Sequence, residues 1–175
     1  MLVMALFSGT IRKYRFYRLP EAERIQMWPD LGSVGIDVRL TGFPNFGSEP
    51  FLISIGSHVT ISANVAFVNH DGGARVFRSE RPGLHVYDKI SVGDHVFIGM
   101  GSILLPGVTI GDNCVIGAGS VVSRDVPSGS VAAGVPCRVI KSIQEYREGL
   151  ERKGIDWPVG QYDESWRSCL IRKYW

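Results

Sequence analysis

Aliphatic residues recur every six positions through the second half of the chain. Each is followed four positions later by a small or β-branched residue, and glycine directly follows four of the six aliphatic residues. The aliphatic series is Val92, Ile98, Leu104, Ile110, Ile116 and Val122, and the second series is Val96, Ser102, Val108, Cys114, Ser120 and Val126. A shorter block with the same spacing holds Ile55, Ile61 and Phe67, with Val59 and Val65. The two blocks are out of phase by one residue, so an insertion separates them.

A period of six fits neither an α-helix, at about 3.6 residues, nor a long amphipathic strand, at about two. It is a known period of parallel β-helices. Each hexad would be a short strand and a corner, with the aliphatic residue pointing into the prism and the small residue fitting the corner. Glycine, Asp94, Asp112 and Asn113 would supply the turn geometry. Because each coil buries its interior only against its neighbours, the pattern predicts an all-β solenoid of triangular coils, three hexads to a coil.

The limits of the repeat divide the chain into three parts. Residues 1–30 indicate a helical or extended segment, in which Pro20 marks a helix start. Residues 31–140 hold the β-helix, which an excursion loop interrupts over 72–89. A loop of that length in a compact solenoid is usually functional. Residues 141–175 indicate a helix that caps the open end, and then a tail rich in Trp and Tyr that packs on the body or on a neighbouring subunit.

Composition narrows the possible functions. The net charge of +2 is too mild to predict a nucleic-acid partner. Three cysteines without a CxxC pair predict free thiols in a reducing cytoplasm, not disulfides or a zinc site. The N-terminal apolar run is too short to span a bilayer and lacks the features of a signal peptide. The basic and aromatic stretch over 12–18 either touches a membrane surface weakly or forms a solvated helix packed on the domain.

The stretch from Ile90 to Lys141, ISVGDHVFIGMGSILLPGVTIGDNCVIGAGSVVSRDVPSGSVAAGVPCRVIK, resembles the hexapeptide-repeat acetyltransferases. It is similar in particular to the galactoside, maltose and capsule-polysaccharide O-acetyltransferases, and its ending AGVPCRVI is specific for this group. The resemblance runs from about Phe43 to Lys141. It implies a left-handed parallel β-helix and a homotrimer that binds acetyl-CoA between adjacent prisms, without a metal. The expected reaction is acetyl transfer to a hydroxyl of a sugar or polysaccharide precursor.

Acetyl transfer to a hydroxyl needs a base, and an imidazole, which titrates near pH 6.5, suits that role. His70, where the first block ends and the loop begins, matches the family's catalytic histidine; the alternative is a turn histidine capped by Asp71. Asp71 is also a candidate to orient the ring. Asn45 and Glu49, in PNFGSE, match family residues that bind the acceptor or transition state and the sugar hydroxyls, with a plain loop turn as the alternative. His85 on the loop either contacts the acceptor or is solvated.

Coenzyme A carries phosphates at one end, so cationic side chains are expected there. Small residues let the backbone approach the pantetheine amides, and Phe97 stands where galactoside-type enzymes have an indole. The resemblance assigns the coenzyme to seven positions: Phe97, Gly99, Ala118, Ser123, Arg124, Arg138 and Lys141. For the arginines, exposed corner charge is the alternative.

The sequence assigns no single role to five further polar residues. Arg75, Arg78 and Arg81 add positive charge near the proposed base, and they either attract an anionic acceptor, such as a nucleotide-linked or acidic sugar, or are merely solvated. His58 and His95 fall at exposed corners.

Three other functions fit parts of the pattern. A γ-class carbonic anhydrase needs three histidines converging on one metal, and His70, His85 and His95 are too widely spaced for the family's close pair. A non-catalytic assembly module would keep the hexads but would have no reason for His70 at the lip of the prism. An antibiotic or serine acetyltransferase on the same fold stays open, although Asn45 and Phe46 favour sugars.

Overall fold

A computed structural model describes residues 2–158, 160 and 163–174 of the chain, and side chains from residue 10 onward. The helices are α1 (Leu2–Arg18), α2 (Ile143–Lys153) and α3 (Glu164–Tyr174), and 3-10 helices cover Arg24–Met27, Pro50–Leu52 and Gly72–Phe77. The strands are β1 (Ser33–Val34), β2 (Arg39–Leu40), β3 (Ile53–Ile55), β4 (Thr60–Ile61), β5 (Ala66–Phe67), β6 (Ile90–Val92), β7 (Phe97–Ile98), β8 (Ile103–Leu104), β9 (Thr109–Ile110), β10 (Val115–Ile116), β11 (Val121–Val122), β12 (Ser130–Ala133) and β13 (Arg138–Ser142).

The strands form three parallel sheets that the chain visits in turn. From β3 to β11 each strand joins the next sheet, and every third strand returns to the same one. The sheet orders are β1-β3-β6-β9, β13-β12-β10-β7-β4-β2 and β11-β8-β5, in which only the β12–β13 pair is antiparallel. The chain therefore coils as a three-sided parallel solenoid, which confirms the sheet-rich, parallel architecture predicted from the period of six.

Both hexad series point inward. Along one face Ile61, Ile98 and Ile116 stack in register and are fully buried. Along another, Phe67, Leu104 and Val122 stack in the same way. The second series, from Val96 to Val126, is buried at the corners, where the hydroxyls of Ser102 and Ser120 donate to backbone carbonyls. Alternation within two-residue strands thus places one side chain inside and the next outside.

The turn residues at the corners differ in part from those predicted. Of the residues proposed for turn geometry, Asn113 has a positive φ of 55°, but Asp94 and Asp112 do not. Their carboxylates instead link coils, because Asp112 Oδ1 accepts the backbone N–H of Asp94 at 2.8 Å. Gly99 is required for close approach: a Cβ there would lie 2.5 Å from the backbone nitrogen of Ala118 in the next coil.

The N-terminal segment covers the first coil. The predicted helix start at Pro20 is wrong, because a turn and the 3-10 helix Arg24–Met27 follow it, and this short helix has no side-chain cap. The α-helix lies earlier, as α1. Its Phe16 is fully buried, with its ring 5.2 Å from the ring of Phe43. In the basic stretch, Arg12 donates to the carbonyl of Met27 at 3.1 Å within the N-terminal segment, and Lys13 Nζ lies 5.8 Å from the ring centre of Phe43, so this part of α1 packs on the solenoid.

The C-terminal segment follows the last coil and covers one edge of β12. Strand β13 turns back antiparallel along β12, and α2 follows it at once. Ser142 and Glu145 form a capping box that starts α2, since the Ser142 hydroxyl accepts the N–H of Glu145 and the carboxylate accepts the N–H of Ser142. The helix predicted after residue 140 is therefore present. None of the helices among the described residues is long and apolar enough to cross a membrane.

Candidate active site

A cleft of about 350 Å³ lies between the base of the excursion loop and the neighbouring coil. The loop leaves the solenoid after β5 and returns at β6, and backbone hydrogen bonds close its neck: Asp71 N–H donates to Val86 and Asp88 N–H donates to Asn69, each at 2.9 Å. The cleft is lined by Ser48, Glu49, His70, Asp71, Gly72, Ala74, Arg75, Arg78, Leu84, His85, Val86 and Tyr87. The structure thus brings Glu49, His70 and His85, three of the predicted site residues, to one place.

His70 and Glu49 form a hydrogen-bonded pair in this cleft. His70 Nδ1 lies 3.0 Å from Glu49 Oε2, with the imidazole side chain 45% exposed and the carboxylate side chain 18% exposed. The hydrogen bond from His70, together with one from Ser48, holds the pKa of Glu49 below its usual range. Because an ionised carboxylate only accepts, Nδ1 must carry the hydrogen, and the neutral ring then keeps its lone pair on Nε2. This tautomer suits a general base.

The pairing follows from the length of the first coil. In the first two coils residues 21 positions apart lie above one another, as His58 and Asp37 do at 3.1 Å. Glu49 precedes His70 by the same 21 positions and therefore stacks on it. Later coils repeat after 18 residues, as Asp94 and Asp112 show. Three hexads predict an offset of 18, so the hexads did not signal this pairing, and the sequence prediction assigned Glu49 to sugar hydroxyls.

Asp71 does not occupy the position proposed for it. Its Oδ1 accepts the backbone N–H of Gly73 at 2.8 Å and caps the 3-10 helix that opens the loop. The candidate that orients the imidazole is consequently Glu49. The neighbouring Asn69 is fully buried, and neither atom of its amide has a hydrogen-bond partner among the described residues. Gly47, at a φ of +68°, leaves room for this amide, since a Cβ would lie 2.8 Å from Asn69 Oδ1.

The aromatic wall of the cleft was not foreseen. Tyr87 pairs antiparallel with His70, and their rings lie 6.0 Å apart. The ring of His85 stacks on Tyr87 at 6.1 Å, with 17° between the planes. No repeat or motif marks Tyr87 in the sequence. Asn45 is exposed and does not line the cleft; its Oδ1 accepts the N–H of Gly47 at 3.0 Å, and its amide nitrogen makes no hydrogen bond to a described residue.

The residues assigned to coenzyme A lie on other parts of the solenoid. Arg124 and Arg138 line another cavity, also of about 350 Å³, and Gly99 and Ala118 touch at the stacked corners of two coils. Phe97 is 43% exposed on the outer face of β7, Ser123 is exposed after β11, and Lys141 lies on β13 with its Nζ 5.9 Å from the ring centre of Tyr146. Among the described residues, none of the seven positions lines the cleft around His70.

His58 and His95 stack at an exposed corner, with ring centres 4.7 Å apart. Both have positive φ, of 57° and 55°. Across the described ranges, no group of three or more His, Cys, Asp and Glu side chains could hold a metal ion.

Comparison with known proteins gives several matches. The family model for bacterial transferase hexapeptide, six repeats, matches residues 89–124. Protein CapG of Staphylococcus aureus is 54% identical over 115 residues, which are 65% of this chain and 67% of CapG. Galactoside O-acetyltransferase of Escherichia coli K12 is 44% identical over 98 residues, 55% of this chain and 47% of that enzyme. This chain thus spans about half the length of the galactoside enzyme.

A solved structure matches at the level of the fold and of the sequence. The maltose O-acetyltransferase from Clostridium difficile 630 superposes with a TM-score of 0.55 at 31% identity. The match covers 76% of this chain and 83% of the maltose enzyme.

Proposed function

Because the chain belongs to the hexapeptide-repeat acetyltransferases and is an acyltransferase, we propose that it transfers an acetyl group from acetyl-CoA to a hydroxyl of a sugar or polysaccharide precursor. The observation that carries this proposal is the pair of His70 and Glu49 in a cleft of sugar size. The names of the galactoside and maltose enzymes support a sugar acceptor. The non-catalytic module is set aside, because the family is enzymatic.

In this mechanism His70 Nε2 takes the proton of the acceptor hydroxyl while the oxygen attacks the thioester carbonyl carbon. Glu49 accepts the Nδ1 hydrogen, keeps the ring in the required tautomer and stabilises the imidazolium as it forms. When the carbon–sulfur bond breaks, the imidazolium returns its proton to the thiolate of coenzyme A. Base and acid are therefore the same nitrogen. Asn45, which is exposed outside this cleft with its amide nitrogen unused by any described residue, would donate to a part of the acceptor that extends beyond the cleft.

The coenzyme and its acetyl group must reach His70 from outside the cleft of a single chain. The residues assigned to coenzyme A do not line that cleft, which supports a homotrimer in which a neighbouring subunit supplies that binding surface. Phe97, Met100 and Ile103 add apolar surface on the outside of the solenoid, with exposed fractions of 43%, 57% and 37%. Large apolar side chains exposed to this degree favour a subunit contact. Sedimentation of the purified protein tests this assignment, and a monomer would contradict it.

Three further parts of the proposal concern the whole protein. The family implies that the coil is left-handed. Free cysteines at Cys114, Cys137 and Cys169 support a cytoplasmic location. Residues 1–30, 31–140 and 141–175 are the proposed divisions of the chain.

The test is thiol release from acetyl-CoA with a panel of sugars and sugar derivatives. Wild-type protein should release thiol only with a suitable acceptor, and His70→Asn should lower kcat by at least about a hundredfold, the lower end of general-base catalysis. His95→Asn is the control, because it also removes an exposed imidazole and asparagine tolerates its positive φ. If His70→Asn keeps more than a tenth of the rate, His70 is not the base; if no acceptor works, the proposed reaction is wrong.

A further inference from the structure

The excursion loop carries a row of arginines beside the proposed base. Arg75 lies in the 3-10 helix Gly72–Phe77, Arg78 ends that helix in right-handed geometry, and the N–H of Arg78 donates to the carbonyl of Arg75 at 3.2 Å. Side chains three residues apart in a 3-10 helix eclipse one another, so both leave the helix on one side. Both line the cleft with His70. Arg81, three residues further on, lines the adjoining cavity, which shares His85 with the first.

No described residue pairs with the guanidinium groups of Arg75 and Arg78. Neither Arg75 nor Arg78 forms an ion pair or a side-chain hydrogen bond within the part of the chain that the structure describes. Some arginines elsewhere are engaged, as Arg39 is with Glu21 at 2.8 Å, whereas Arg124 and Arg172 also have no side-chain partner among the described residues. Two charged guanidinium groups thus face the cleft with all of their donors unused.

The two carboxylates of the cleft offset this charge formally, but neither forms an ion pair with an arginine among the described residues. Glu49 accepts from His70, and Asp71 accepts from the N–H of Gly73. An acceptor with its own negative charge would meet guanidinium donors that no described carboxylate occupies. A guanidinium presents a planar fork of donors that matches a phosphate in a bidentate way.

The neck of the loop fixes where such an anion would sit. The backbone pairing of Asp71 with Val86 and of Asp88 with Asn69 ties the base of the loop to the strand end that carries His70. The stacked rings of His85 and Tyr87 form a wall on which a sugar ring can pack. One rigid unit therefore holds the proposed base, an apolar face and two unpaired cations. This arrangement suits a ligand with a sugar at one end and an anion at the other.

We propose, on the basis of the proposed function, that the acceptor is a sugar joined to a phosphate or diphosphate, and that Arg75 and Arg78 bind that group. The resemblance assigns the coenzyme's own phosphates elsewhere, to Arg124 and Arg138, which line another cavity. Two kinds of acceptor contain a sugar diphosphate: a nucleotide-linked sugar and a sugar on a lipid carrier. Arg75 and Arg78 act by binding the acceptor and take no part in the proton transfer.

The experiment compares acceptors that share a sugar and differ only in the attached group. The probes are galactose, galactose 1-phosphate, galacturonic acid, UDP-galactose and a short prenyl-diphosphate galactose, each with saturating acetyl-CoA. The proposal expects kcat/KM to rise about ten- to a hundredfold from galactose to the phosphorylated acceptors. Similar values for the last two probes mean that only the diphosphate is recognised, while a preference for one identifies its carrier.

The variants are Arg75→Gln, Arg78→Gln and the double substitution. We expect the KM for UDP-galactose to rise about tenfold or more in the double variant, while the KM for acetyl-CoA and the melting temperature stay unchanged. Arg172→Gln on α3 is the control, since it removes one exposed charge far along the chain. Calorimetric titration with UDP, which needs no turnover, should show weaker binding to the double variant than to the wild type.

Several results would overturn the inference. Equal use of free and phosphorylated galactose, or a preference for galacturonic acid, would exclude a phosphate as the recognised group. A rise in the KM for acetyl-CoA alone would assign both arginines to the coenzyme. Each of these results leaves acetyl transfer intact. Absence of transfer to every probe would instead count against the proposed function, and UDP binding that needs Arg75 and Arg78 would then still support the anion site.

Discussion

Glu49→Gln tests how the histidine of the cleft is held. The side chain keeps its length and shape, so it still reaches His70 Nδ1, which lies 3.0 Å from Oε2 in the wild type. The carboxylate only accepts, whereas the glutamine amide can also donate to Nδ1. If it donates, the ring carries its hydrogen on Nε2 and cannot accept the hydroxyl proton. The substitution therefore changes the tautomer without removing the base.

The expected loss follows from the role of the base. General-base catalysis is worth about 10²–10⁴-fold, and the glutamine oxygen can still accept from Nδ1–H in its other orientation. We expect kcat to fall by about 10²–10³-fold, or about 2.7–4.1 kcal/mol of transition-state stabilisation. If Glu49 only positions His70, the KM for the acceptor stays within about twofold. If the carboxylate binds a sugar hydroxyl, as the resemblance implies, that KM rises instead.

Steady-state thiol release with saturating acetyl-CoA separates kcat from KM. Asp71→Asn is the matched control, because it makes the same charge change in the same cleft and its amide oxygen can still accept from the N–H of Gly73. We expect the control to keep kcat within about threefold. A Glu49→Gln enzyme with kcat within about fivefold of the wild type would refute the reasoning, since the tautomer would then not depend on Glu49.

Three further predictions concern stability and are checked by chemical or thermal unfolding. Gly99→Ala places a Cβ 2.5 Å from the backbone nitrogen of Ala118 and should cost about 1–3 kcal/mol, whereas Gly83→Ala, with open space around it, should be neutral. Leu104→Ala removes a fully buried side chain and should cost about 3–5 kcal/mol; a value below about 1 kcal/mol would contradict the close packing of the coil. The folded pKa of Glu49 lies below the unfolded value of about 4.3, so its stabilising effect is complete above that pH and is lost as the pH falls through the folded pKa. The difference in melting temperature between wild type and Glu49→Gln should hold from about pH 8 to about pH 6 and shrink below about pH 4, and no shrinkage would show that the carboxylate is not stabilised by folding.

The buried Asn69 precedes His70 in the chain and has an unsatisfied amide among the described residues. Its amide has no partner among the described residues, which is expensive in a core that otherwise satisfies its polar groups. The strand end that carries Asn69 also carries His70, and the neck of the excursion loop bonds to the Asn69 carbonyl. The polar group is thus buried where the loop is attached and the proposed base is exposed.

The hexad pattern by itself determined the architecture. Each inward position needs an aliphatic or small residue on one side of a short strand. The period of six therefore appears in the sequence without any information on long-range contacts. The sequence also locates His70 at the point where the repeat ends and the loop begins, for the same reason. The α-helix predicted to begin at Pro20 is absent, and the prediction was wrong because a short segment without a cap gives no periodic signal. The α-helix of this segment is α1, which ends before Pro20.

Only the tertiary structure decided which residues meet. Whether Glu49 or Asp71 orients His70 depends on the length of one coil, and adjacency in sequence pointed to the wrong carboxylate. The stacked rings of His85 and Tyr87, and the shared direction of Arg75 and Arg78, arise from how the loop folds back on its neck. The repeat predicts whether a side chain points inward or outward within its own coil. The chemistry depends on contacts between coils and across a non-repeating loop, and the period carries no record of those contacts.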